Sequence, residues 1–298
     1  MILQGDFINF LFNGTLNGAV FSLVALGYSL VYGVGHLMNL AHGAYFMMTG
    51  YLMLWLIDIP LLAHLEIINV IITIIIITAM GAATYILLIK PLQDTSVGVV
   101  LITFGLAFFL EQLALIVSGT ESYSITSYSI VRGATEVFGY KMTNQFIWLI
   151  VISLCIVILF ALFINYSKLG KSIRAVSQDK EAATLMGINS NRILLITVMI
   201  SAFLAAIAGA LYIPAAAING PSMGWEFLTN SFAVVILGGM GSLFGSIVGA
   251  YILGFVTSAT SVFIPVWGPS IKGIVPIIVI VIMLVIRPEG IFGKKEVR

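Results

Sequence analysis

The chain has 298 residues, 60% hydrophobic and only 8% charged, with a formal net charge of +1 and a mean hydropathy of +1.15. A soluble domain carries about 25% charged residues, so this composition indicates a polytopic membrane protein and gives no basis for a nucleic-acid partner. The apolar runs are continuous rather than alternating, which selects helices over a β-barrel. The expected fold is all-α, a membrane helical bundle forming one transmembrane domain over residues 1–298.

The first apolar segment covers 7–33. No Lys or Arg precedes it, and Asp6 stands where a cleaved signal peptide needs a basic region, so it reads as a retained span. The segments that follow are 44–57, 65–89, 97–118, 145–166, 193–213, 227–241, 243–263 and 272–286, giving eight or nine crossings. A crossing takes about 20 residues. The 44–57 and 227–241 segments fall short and read as candidate half-helices.

Glycine breaks the pattern twice, in GVGHLMNLAHGAYFMMTG (33–50) and in GGMGSLFGSIVGAYILG (238–254). Glycine permits close helix approach and also unwound backbone where lipid is excluded. Short, Gly-interrupted segments in the two halves point to a central transport pathway; tight packing is the alternative. The candidate pathway residues here are Asn39, His42, Gly43, Gly238, Gly239, Gly241 and Ser242. Asn39 and His42 share a face if this stretch is helical, and capping a broken helix is their other reading. Glu111 lies within LITFGLAFFLEQLALIV. A carboxylate there is expensive and normally faces the bundle interior or water, so Glu111 joins the pathway candidates. Its alternative is a buried acid paired with a neighbouring span. His and Cys are too sparse for a metal site, the single Cys155 cannot form an intramolecular disulfide, and no catalytic set appears. An enzyme is not expected.

The basic residues set the orientation. Alternating crossings gather Lys90, Lys168, Lys171, Arg174, Lys180, Arg192, Arg287, Lys294, Lys295 and Arg298 on one side, leaving Arg132, Lys141 and Lys272 on the other. The basic side is expected to be cytoplasmic, with the N-terminus outside, the C-terminus inside and 119–144 as the main external loop. With eight crossings the N-terminus moves inside. The cytoplasmic loop 168–192 contains a polar island, GKSIRAVSQDKEAATLMGINSNR (170–192). Residues 171–185 lack Gly and Pro, and Ile173, Val176, Ala183 and Met186 form one apolar stripe on an expected single helix. Gly187 and Asn189 resemble its stop signal. The island reads either as a docking knob for a soluble subunit or as a surface helix lying on the headgroups. Gly170-Lys171-Ser172 looks like the end of a P-loop, but that motif needs Gly where Asn165 stands. The chain itself should bind no ATP.

Glu181-Ala182-Ala183, three residues, then Gly187 resembles the EAA---G loop of ABC importer permeases. The surrounding GKSIRAVSQDKEAATLMGIN, the NLAHG at Asn39–Gly43, GGMGSLFGSIVGA at Gly238–Ala250 and RPEGIFG at Arg287–Gly293 all resemble the branched-chain amino acid permease family of the LivH/LivM type. The chain is also similar to urea and short-chain amide permeases of the same superfamily. The resemblance implies a subunit of a bacterial or archaeal inner membrane that pairs with a second permease, copy or paralogue. It implies substrate handed over by an external binding protein and drive from cytoplasmic ATPase subunits, which hold the ATP; the chain itself carries no cofactor. Lys171, Arg174 and Glu181 would meet the ATPase surface, and Ala182, Ala183 and Gly187 would allow close approach. Glu111 would face the ammonium group of an amino acid. An ATPase-independent channel or facilitator is the alternative.

Overall fold

A computed structural model describes residues 2–60, 62, 64–129, 131, 133–137, 140–264, 271 and 273–293. Its helices are α1 (Ile2–Gly35), α2 (His42–Ile57), α3 (Glu66–Ala83), α4 (Ser96–Ser118), α5 (Asn144–Tyr166), α6 (Lys168–Gln178), α7 (Lys180–Leu185), α8 (Ser190–Ala216), α9 (Met223–Gly238), α10 (Leu243–Phe263) and α11 (Val275–Ile286). α3 widens into a π turn over Thr84–Ile89 ahead of Pro91, whose ring removes a backbone donor. Among the described residues α1, α3 with its extension, α4, α5, α8 and α10 are long and apolar enough to cross a bilayer. α2, α9 and α11 have only 16, 16 and 12 residues. One departure from an all-α fold is a small antiparallel hairpin, β1 (Ala134–Val137) with β2 (Tyr140–Thr143), which sets Glu136 opposite Lys141. It forms in the 119–144 loop, where no apolar run imposes a helical period.

α1 is the centre. In its membrane stretch 83% of residues are buried, against 28% for α3, α4 and α5. Those three form the rim, with Ile67, Leu87, Leu101, Ile116 and Leu159 turned outward. So much exposed apolar surface belongs against lipid. α1 and α10 touch backbone to backbone: a Cβ added at Gly254 would lie 2.5 Å from the Gly18 amide nitrogen. Small residues allow this approach, the usual driver of helix association in membranes.

Helix α1 ends where His36 takes φ 53°, a left-handed conformation uncommon outside glycine. Residues 36–41 are therefore not helical, and Asn39 and His42 do not share a helical face. The chain turns back, and α2 begins with His42 against Val24 and Ser201, in the middle of α1 and α8. α2 thus starts inside the bundle, as a half-helix does. α9 starts beside it: a Cβ on Gly43 would overlap the Gly224 carbonyl, and Phe46 stacks on Phe227 with centroids 3.8 Å apart.

The far end of α9 is closed by glycines. The helix stops at Gly238 rather than 241, because Gly239 (φ 103°) and Gly241 (φ 80°) form a tight turn into α10. Ser242 caps α10 by accepting from the Gly245 amide. The Arg287–Gly293 segment folds back here: Ile291 N donates to Leu237 O (2.9 Å) and Phe292 N to Gly238 O (3.0 Å), satisfying carbonyls that a helix end leaves open. This end of the bundle also holds Gly33, α6 and α7. The 119–144 loop, with Lys141, lies at the other end. Arg132, Lys272, Lys294, Lys295 and Arg298, used above to read orientation, lie outside the described residues.

Candidate functional site

The polar island forms an arm of two helices rather than one. α6 and α7 are separated by Asp179, in extended conformation (φ −157°), whose Oδ1 accepts from the Glu181 and Ala182 amides at 2.9 Å each. An unbroken helix was expected because neither Gly nor Pro interrupts 171–185; an Asp in position to cap supplies the break instead. Asp179→Ala is expected to weaken α7 by about 1 kcal/mol, seen as faster amide exchange over 180–187 with α8 unchanged.

Three contacts fix the arm to the bundle. Ser167 Oγ accepts from Gly170 N (2.8 Å) at the elbow between α5 and α6. Gly170 sits so close to the α5 carbonyls of Phe163 and Ile164 that a side chain would collide with them. Arg174 Nη1 donates to Ile164 O (2.6 Å) and Asn165 Oδ1 (3.2 Å), and Ser177 Oγ donates to Gly33 O (2.5 Å). The arm is therefore hydrogen-bonded to the last turn of the central helix.

Of the six residues expected on a contact surface, Lys171, Glu181, Ala182 and Gly187 are exposed. Ala183 is buried with Ile173 and Val176. Arg174 is half-buried, its guanidinium engaged by the elbow. Gly187 takes φ 86° with open space around it, directly after the arm's tip. Asn189 does not stop the arm; its side chain caps α8. Met186 leaves the predicted stripe: at 83% exposure, beside Leu185 at 89%, it makes the tip an apolar point. It lies beyond the end of α7, where helical spacing no longer decides its direction.

The predicted pathway residues do not converge. Asn39 and His42 are buried: Asn39 Oδ1 accepts from Ala41 N (3.1 Å), while His42 joins Val24 O (2.7 Å) and Ser201 Oγ (2.9 Å). Gly43 serves the contact between the two half-helices. Gly238, Gly239 and Ser242 belong to the turn closed by the Arg287–Gly293 segment, and Gly241 packs on Gly33. Glu111 accepts a hydrogen bond from Trp225 Nε1. Its surroundings, with Leu40, Met47 and Gly224, leave a cavity of about 10 Å³, room for one water at most.

Larger spaces lie elsewhere. One of about 380 Å³ separates α6 from α1, α5 and α10, lined by Gly33, Arg174, Ser177 and Gly241. Ser29, fully buried on its wall, has a hydroxyl without a partner among the described residues. A second, of about 450 Å³, lies among α1, α8, α9, α10 and α11 and is lined by Asn17, Tyr212, Glu226, Thr229, Asn230 and Thr257 with an apolar wall. Sequence reasoning missed these residues. The signal was present: Glu226, Thr229 and Asn230 recur at i, i+3 and i+4 on a short apolar helix.

A long buried helix at the centre, an apolar rim and two half-helices meeting at depth are the build of a polytopic helical membrane protein. PsaBC from Streptococcus pneumoniae, solved in complex with a Fab, shares the fold at a TM-score of 0.51 over 95% of this chain and 94% of that one, with 15% sequence identity. Residues 10–284 match the family described as the permease component of the branched-chain amino acid transport system, and the chain belongs to that family. It is 27% identical to the high-affinity branched-chain amino acid transport system permease protein LivH of Salmonella typhimurium, over 98% of this chain and 97% of the relative. It is 28% identical to BraD of Pseudomonas aeruginosa, of the same description, over 96% of each.

Proposed function

We propose that the chain is the membrane permease subunit of an ATP-driven importer of branched-chain or other small amino acids, in the inner membrane of a bacterium or archaeon. Two cytoplasmic ATPase subunits, a second permease and an external binding protein complete the transporter. The substrate class rests on the names of the relatives. The observation that carries the coupling is the arm: an apolar tip at Leu185 and Met186, projecting from α6 and α7, with α6 bonded directly to α1 and α5.

In this reading the tip seats in a groove of an ATPase subunit. Closure of the ATPases moves the arm, and the Ser177–Gly33 and Arg174–Ile164 contacts pass the displacement to the central helix and to α5. The space of about 380 Å³ behind α6 gives the arm room to travel. Left-handed Gly187 lets the chain leave the tip and enter α8 without a side chain beside the docked surface. The chain performs transport, not catalysis.

The test places charges on the tip. Leu185→Glu combined with Met186→Glu puts two carboxylates into a contact that must shed water. The expected result is at least about a tenfold loss of ATP-driven leucine uptake in vesicles, with ATPase subunits no longer co-purifying and permease abundance unchanged. Wild-type uptake and co-purification would refute the coupling role. Leucine flux through the permease without ATPase subunits would favour a facilitator.

A further inference from the structure

The cavity of about 450 Å³ holds polar groups for which the fold has no use. Glu226 is exposed on the first turn of α9, yet that turn lies within the apolar bundle: its neighbour Phe227 stacks on Phe46 and meets Phe21 and Tyr212 edge-on. A carboxylate at this depth cannot face lipid without a large penalty; it needs water or a cation. Asn230, one turn further on, is only 6% exposed. Neither it nor Asn17 across the cavity has a hydrogen-bond partner among the described residues. Both amides line the cavity, so whatever fills it, water or solute, supplies their hydrogen bonds. Thr257 differs, its hydroxyl donating to Leu253 O and Gly254 O (2.9 Å each). Phe21, Phe227 and Ile277 supply an apolar wall.

We infer that this cavity is a transit site for an α-amino acid, with the Glu226 carboxylate receiving the ammonium group. The amides of Asn17 and Asn230 donate to the substrate carboxylate, and its aliphatic side chain lies along Phe21, Phe227 and Ile277. The assignment deepens the importer reading and rests on it. The site discriminates weakly by design. One charge and two neutral amides hold a zwitterion long enough to orient it but not long enough to trap it. Glu111 is unsuited to the task because Trp225 and the surrounding packing already occupy it.

The experiment uses the complete transporter in vesicles, with labelled leucine as probe. Glu226→Gln is expected to reduce ATP-driven uptake about tenfold, the loss of one charge-assisted contact, and Glu226→Asp to recover part of it. Permease abundance and ATPase co-purification stay at wild-type values in both. A second measurement labels Thr229→Cys in a Cys155→Ala background. A cationic thiol reagent reacts about tenfold faster than an anionic one, saturating leucine slows the reaction, and Glu226→Gln abolishes the preference between reagents. Undiminished uptake in Glu226→Gln together with no protection by leucine would overturn the site while leaving the importer intact. Cross-linking of the Thr229 cysteine to the second permease, with no protection by leucine, would also overturn it, since the partner would then fill the space. Wild-type vesicles that import no amino acid on addition of ATP would overturn both readings.

Discussion

Gly238→Ala is expected to remove most of the folded protein from the membrane. The added methyl would overlap the carbonyl of Gly245, and a methyl at Gly245 would overlap the carbonyl of Gly238. Both obstacles are backbone, so no side chain can swing aside. Moving the turn away would also strain the hydrogen bond from Phe292 N to Gly238 O. Overpacking that a rotamer change cannot relieve sits at or above the upper end of the usual range, about 3 kcal/mol. The measurement is thermal unfolding in detergent alongside membrane abundance. Gly105→Ala is the control: it lies in α4 with open space around it, and alanine there should be neutral or stabilising by about 0.5–1 kcal/mol. Equal behaviour of the two variants would disprove the packing account of the glycine cluster.

His42→Ala should be nearly as damaging, for a different reason. A carbonyl only accepts, so Nε2 carries the proton donated to Val24 O, and Nδ1 accepts from the Ser201 hydroxyl. One side chain thus ties α2 to both α1 and α8 where the half-helix begins. Truncation leaves a void in a fully buried site and removes two hydrogen bonds, a cost of about 3 kcal/mol or more. The expected signature is a lower melting temperature and less uptake, with uptake per folded molecule preserved. A normal melting temperature with lost uptake would instead return His42 to the pathway.

The sequence displayed much of the fold because lipid imposes a simple rule: apolar runs must be helical and about 20 residues long. All nine apolar segments correspond to helices, and the two suspected half-helices are the ones that meet at depth. The site was less legible. Gly238, Gly239 and Gly241 look the same on paper whether or not they form a turn; the turn is visible only once residues 291–292 return to it. Asp179 interrupts neither the apolar stripe nor the run without Gly and Pro, so the break it makes by capping α7 shows only in the fold. Glu111 drew attention as an acid in an apolar span, although Trp225, more than a hundred residues away, already satisfies it. Glu226 attracted none, since one acid near the start of a segment is easily taken for a boundary residue.

The return of residues 291–292 also bears on biogenesis. A membrane protein enters the bilayer from its first segment to its last as it is synthesised, yet the hairpin of α9 and α10 keeps open carbonyls until Phe292 has emerged. The two helices can be threaded early, but their junction locks only after α11 is in place. Synthesis interrupted shortly before that point would leave an inserted but unlatched protein, a natural target for membrane quality control.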